Sequence, residues 1–253
     1  GRTASKLIFN VWYKGRKLIV MAGKHWWIPP HLSSEKRFAR IAEYAKEAIY
    51  APFADDLYDK EAIEDGAGFL AGEIEAVRDD LKKRGVFSRA FPLRLLAEAI
   101  PGDYVFNLAL NEQMDHDKFE ADPRRTAEAV LIEYAFNREN SFRWAVSSAN
   151  ARGALQFTNR SRKKKIGTYD LVVGSYKDAG LMKNFEAGTQ NLQNIIKAAI
   201  CLLDMELSKL PTEARELFEH DYRRGSYFSS TCYNGGFEKG WRLAQFFIHR
   251  RGG

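Results

Sequence analysis

The segment from Leu192 to Leu210 constrains the fold more than any other part of the chain. Leu192, Ile195, Ile196, Ala199, Leu202, Leu203, Leu207 and Leu210 recur every three or four residues, and Pro211 stops the run. Side chains at that spacing share one side of an α-helix. The stripe is wide, so this helix is buried and needs other elements around it to cover it. Most of the remaining sequence offers helices. Ser33 or Ser34 can cap one that carries Phe38, Ile41, Ala45 and Ile49 on a face. A second is expected from Gly68 to Arg84, with Ile74, Val77 and Leu81 as its stripe and Gly85 as its stop. Pro92 is expected to begin a short helix that Pro101-Gly102 ends, and Asp103 to cap the next. Asp122-Pro123 is a strong start signal, and the helix it opens carries Ala127, Val130, Leu131, Tyr134 and Ala135 and ends near Arg138.

Only the beginning reads differently. Over residues 6–22, Leu7, Phe9 and Val11 alternate with other neighbours, Lys14-Gly15-Arg16 supplies a turn, and Leu18 to Met21 forms a second apolar run. That is the pattern of a β-hairpin. Trp12, Tyr13, Trp26 and Trp27 give it an apolar face that suits packing on the helical body or on a protein partner. The expected fold class is therefore mainly α, with a β-hairpin extension over residues 1–32 and a helical body over 33–253.

Composition narrows the function classes. The 253 residues suffice for one large domain or a domain with an extension, and no stretch reaches the length of unbroken apolar sequence that a membrane span requires. Basic residues outnumber acidic ones by 39 to 33, an excess too even to point to nucleic acid. The sharpest basic cluster, Arg160, Arg162, Lys163, Lys164 and Lys165, reads as a solvated loop or as an attractor for a carboxylate- or phosphate-bearing polymer. The two cysteines, Cys201 and Cys232, and the five histidines show no metal-ligand spacing, so no metal and no cofactor is expected. Whether the two cysteines pair is left open by the sequence.

Glu139 stands out electrostatically. It falls at the C-terminal end of the Asp122-Pro123 helix, where the macrodipole disfavours a carboxylate. Val130-Leu131-Ile132 precede it and Phe142, Trp144, Ala145 and Val146 follow. A glutamate among apolar walls at a negative helix end is expected to have the raised pKa of a general acid.

Four blocks carry a resemblance. Asn137 through Ser147, with Glu139 and Ala145-Val146-Ser147, is similar to the opening motif of lytic transglycosylases of the soluble lytic transglycosylase (goose-lysozyme-like) family. That family shows a helix, then Glu-Ser, an aromatic residue two positions on, and Ala-Val-Ser. Ala151 through Phe157 resembles its Gly-Leu-Met-Gln block, Phe185 through Leu203 its Asn-Ile helix with Asn194-Ile195, and Cys232-Tyr233-Asn234-Gly235-Gly236 its Ala-Tyr-Asn-Ala-Gly. The resemblance spans about residues 122–240 and leaves the first 90 uncovered. Asn140 stands where the family has serine, and Glu139 is one residue closer to Ser147 than usual.

What the resemblance implies is a lysozyme-like helical domain in the bacterial cell envelope, periplasmic or secreted, acting on peptidoglycan glycan strands. Glu139 would protonate the oxygen between N-acetylmuramic acid and N-acetylglucosamine. It would then deprotonate the muramyl C6 hydroxyl, which attacks the anomeric carbon and leaves a 1,6-anhydro end. Ser147, Gln156, Tyr233 and Asn234 would bind substrate, with Tyr233 close to the acid and Ser147 at the reacting sugar. Two further readings are a hydrolytic muramidase on the same fold, using water and a second carboxylate, and a non-catalytic peptidoglycan-binding protein. Glu112 also follows an apolar helical run, but no Ala-Val-Ser block follows it at short range, so it ranks behind Glu139.

Overall fold

A computed structural model describes residues 9–13, 16–18, 48–50, 60–159 and 166–249. The boundary expected at residue 32, the helix expected from Ser33 or Ser34, Trp26, Trp27 and the basic cluster at 160–165 lie outside these residues. The chain divides into two compact units, residues 1–69 with 114–141 and residues 70–113 with 142–253. The fold is mainly helical.

In the first unit, strands β1 (Phe9–Tyr13), β2 (Arg16–Leu18) and β3 (Ala48–Tyr50) form an antiparallel sheet in the order β2-β1-β3. Ile49, expected on a helix face, instead pairs with Asn10 across β1 and β3. Its β-branched side chain suits a strand at least as well as a helix. Helix α1 (Lys60–Lys83) begins in this unit, which also holds α4 (His116–Ala121) and α5 (Pro123–Asn137). Asp122 caps α5 as expected, accepting from the Arg125 N–H at 2.9 Å, with Pro123 at the first helical position. At Gly66 of α1 a Cβ would lie 1.9 Å from the Leu131 carbonyl oxygen, so only glycine allows α1 and α5 to approach this closely. One turn of 3-10 helix, Arg138–Asn140, follows α5, and Arg138 pairs with Asp65 at 2.7 Å.

The second unit is built around α8 (Leu192–Ser208), the helix expected from its apolar stripe. Asn191 caps it, and Ile195, Ile196, Ala198, Ala199 and Ile200 have no exposed surface. Each buried isoleucine contributes about 1.5–3 kcal/mol relative to exposure. The helices α2 (Leu96–Ala99), α3 (Gly102–Asn111), α6 (Thr168–Ser175), α7 (Phe185–Gln190) and α10 (Tyr222–Gly235) pack on it. Between the last two, α9 spans Thr212–His220, and α11 spans Phe237–His249.

Gly85 ends α1 in the left-handed region at φ 65°, as its sequence position predicts. The helix expected from Pro92 is reduced to Leu96–Ala99. Leu95 is extended (φ −66°, ψ 143°), because Ser88 and Leu96 donate to Arg94 and Val86 across a tight loop. Asp103 lies in the first turn of α3, whose cap position is taken by Pro101. The loop at 88–90 is held by Asp204 of α8, a buried carboxylate that accepts from the Ser88 hydroxyl (2.5 Å), the Arg89 N–H (2.7 Å) and the Tyr176 hydroxyl (2.7 Å). With its oxygens so occupied, Asp204 is a structural tie.

Candidate functional site

The site grows from the end of α3. Glu112 is the C-cap of that helix, its N–H bonded to the Leu108 carbonyl, and its half-buried side chain faces a cleft of about 520 Å³. Burial pushes its carboxyl up to about 7, partly opposed by a hydrogen bond from Asn234 that favours the charged form. A carboxyl with that value exchanges its proton readily near neutral pH.

Part of the cleft lining comes from the loop from Ala145 to Phe157. Ser147 folds it back: its N–H donates to the Ala151 carbonyl at 2.9 Å and its hydroxyl oxygen accepts from the Ala151 N–H at 3.1 Å. Arg152 and Phe157 then exchange backbone hydrogen bonds. Gly153 sits at φ 72°, where a Cβ would be 2.1 Å from the Thr189 carbonyl oxygen, so the position admits only glycine. Gln156 also adopts a positive φ, 46°, which costs a non-glycine residue energy and aligns the rest of the loop.

Side chains hold three successive carbonyls of this loop. Gly153 accepts from Gln113 (3.1 Å) and Gln156 (3.0 Å), Ala154 from Gln113 (2.7 Å), and Leu155 from the Tyr233 hydroxyl. Tyr233, on α10, also meets the Phe157 ring edge-on at 5.7 Å. Burial, then the charge of Glu112, pushes the Tyr233 hydroxyl well up. Gln156 lines the cleft and ties the loop.

The cleft brings together Ser147, Gln156, Tyr233 and Asn234, four of the five site residues expected from the sequence. The fifth, Glu139, is not among the residues that line it. Glu139 belongs to the first compact unit, on the 3-10 turn after α5, and is exposed. The glutamate that shares the cleft with these four is Glu112, and its neighbour in space is Tyr233. Residues 114–141 belong to the first unit: within the second, Gln113 is followed by Phe142 and then by Ala145-Val146-Ser147. The helix-then-glutamate pattern occurs twice, and the strong Asp122-Pro123 start signal marked the intervening element.

A second cleft carboxylate had no sequence signal. Glu206 of α8 is 9% exposed; one oxygen accepts from Lys209 at 2.6 Å and the other is buried without a hydrogen-bond partner. Cys232 lines the same wall. It and Cys201 are free and buried, and burial pushes the Cys232 thiol up to about 12, which leaves it a poor nucleophile. Among the described residues no helix is long and apolar enough to cross a membrane. Set against protein-family models, characterised proteins and solved structures, the chain matches none of them.

Proposed function

We propose that the protein cleaves peptidoglycan glycan strands as a lytic transglycosylase, with Glu112 as the proton-transferring residue. The observation that carries this reading is a glutamate with a carboxyl near 7 in one cleft with Ser147, Gln156, Tyr233 and Asn234. Protonated Glu112 donates to the glycosidic oxygen between muramic acid and glucosamine, while charge develops at the anomeric carbon. The resulting carboxylate takes the proton of the muramyl C6 hydroxyl, which closes the 1,6-anhydro ring. Asn234 steadies the carboxylate in its charged half-cycle, and Tyr233 keeps the loop wall in place from beside it. On this reading the helical body is lysozyme-like, and the site of action is the bacterial cell envelope.

Glu206 favours a second reading, hydrolysis by an activated water, because it puts another carboxylate in the same cleft. Mass spectrometry of digested peptidoglycan separates the two. Anhydro-muramyl ends are expected, and reducing muramyl ends would replace the first reading with the second. Glu112→Gln should abolish digestion while glycan binding persists, and Glu139→Gln should digest like the parent. Binding without digestion by the parent protein would leave a peptidoglycan-binding role.

A further inference from the structure

Gln113 is the last residue before the chain leaves the second unit for residues 114–141, and it adjoins Glu112. Exits of this kind loosen the residues beside them unless something fixes the backbone. Here the fixing is explicit. The Gln113 amide nitrogen donates to two successive carbonyls, Gly153 at 3.1 Å and Ala154 at 2.7 Å, using both of its hydrogens. Where the chain returns, the Ala145 carbonyl accepts from the Gly153 N–H at 2.9 Å. Gly153 is thus gripped from both flanks of the inserted residues, and it has no room to yield, because the Thr189 carbonyl stands behind it.

We propose that Gln113 is a positioning residue: by clamping the Gly153-Ala154 backbone it fixes Glu112 against the wall that faces the substrate. The inference rests on the glycan-cleaving reading for its kinetic consequence, but the clamp itself is a property of the cleft. An amide is the side chain this geometry calls for. A carboxylate at 113 would point oxygens at carbonyl oxygens, and a serine has one hydrogen to offer and a shorter reach. Glu112 shares the cleft with two other acidic groups of α10, the Tyr233 hydroxyl and the Cys232 thiol, and with Glu206 of α8. None of these lies on the segment that Gln113 anchors, so changes at 113 act on Glu112 through position and hydration.

The test is Gln113→Met in the full chain, which keeps the side-chain length and removes both hydrogen bonds. Two quantities are read: kcat and KM on purified peptidoglycan, and the titration of the Glu112 carboxyl by carbon-13 NMR, assigned by its loss in Glu112→Gln. The expected result is a fall in kcat of about tenfold to 100-fold, the range for a catalytic group displaced by up to about 1 Å, with KM nearly unchanged. Glu112 should titrate below its parent value of about 7, because a loosened wall admits water. A lowered melting temperature with kcat and the titration both unchanged would overturn the proposal and leave Gln113 a purely structural tie. Should Gln113→Met fail to fold, Gln113→Asn, whose shorter amide loses at least one of the bonds, is read the same way. A parent protein that digests no peptidoglycan would sink the glycan reading alone, since the titration still decides whether Gln113 positions Glu112.

Discussion

Two glutamates follow apolar helical runs in this chain, and burial separates them. Glu139 is exposed after α5, whereas Glu112 is half-buried at the end of α3 and holds its proton to about pH 7. As the proposed general acid it must be protonated to act, so activity should fall as pH rises through that value. Asn234 restrains the shift by bonding the charged form. Asn234→Ala should therefore move the alkaline limb of the kcat/KM profile to higher pH, and a limb that stayed put would show that Asn234 does not govern this proton. The four uncharged residues that line the cleft with Glu112 were legible in the sequence through the Ala-Val-Ser, Gly-Ala-Leu-Gln and Tyr-Asn blocks. The glutamate that shares their cleft, Glu112, ranks behind Glu139 in the sequence, since adjacency in the chain there stands in for adjacency in space.

Among the elements, the sequence was most informative where a helix is buried on many sides. The stripe of α8 and the Asp122-Pro123 start of α5 were both readable because capping and burial act over a few residues. It was least informative at residues 86–96, where a loop tied to distant Asp204 overrides a helix start at Pro92, and at Ile49, which joins a sheet across a long separation. Such outcomes depend on partners that no local pattern contains. Two glycines show the same division. Gly68 lies in the interior of α1 with open space around it, so Gly68→Ala should stabilise by about 0.5–1 kcal/mol. Gly153→Ala meets both a positive φ and the Thr189 carbonyl, and should cost about 2 kcal/mol or more, a fall of about 4–8 °C in melting temperature. Thermal unfolding of the two variants checks both signs, and equal behaviour would deny the crowding described at Gly153.

For the whole molecule, the raised carboxyl of Glu112 is a stability statement. A carboxyl held near 7 in the folded protein and near 4.5 when unfolded adds nothing where both states are protonated. Between those values the unfolded chain gives up its proton first, so stability drains away as pH rises and the loss is complete above about 7. The full difference is about 3 kcal/mol. Glu112→Gln should then unfold later than the parent at pH 8 and at nearly the same temperature at pH 4. A gain that did not depend on pH would mean that burial of this carboxyl is not its source.

The excursion between Gln113 and Phe142 has a practical meaning beyond its effect on motif spacing. A fold that accommodates so long a detour beside its proposed acid has, in effect, a splice port, with one amide clamp sealing the outgoing side and the Ala145 carbonyl sealing the return. A segment of another length between these two seals would meet the same fixed backbone at Gly153.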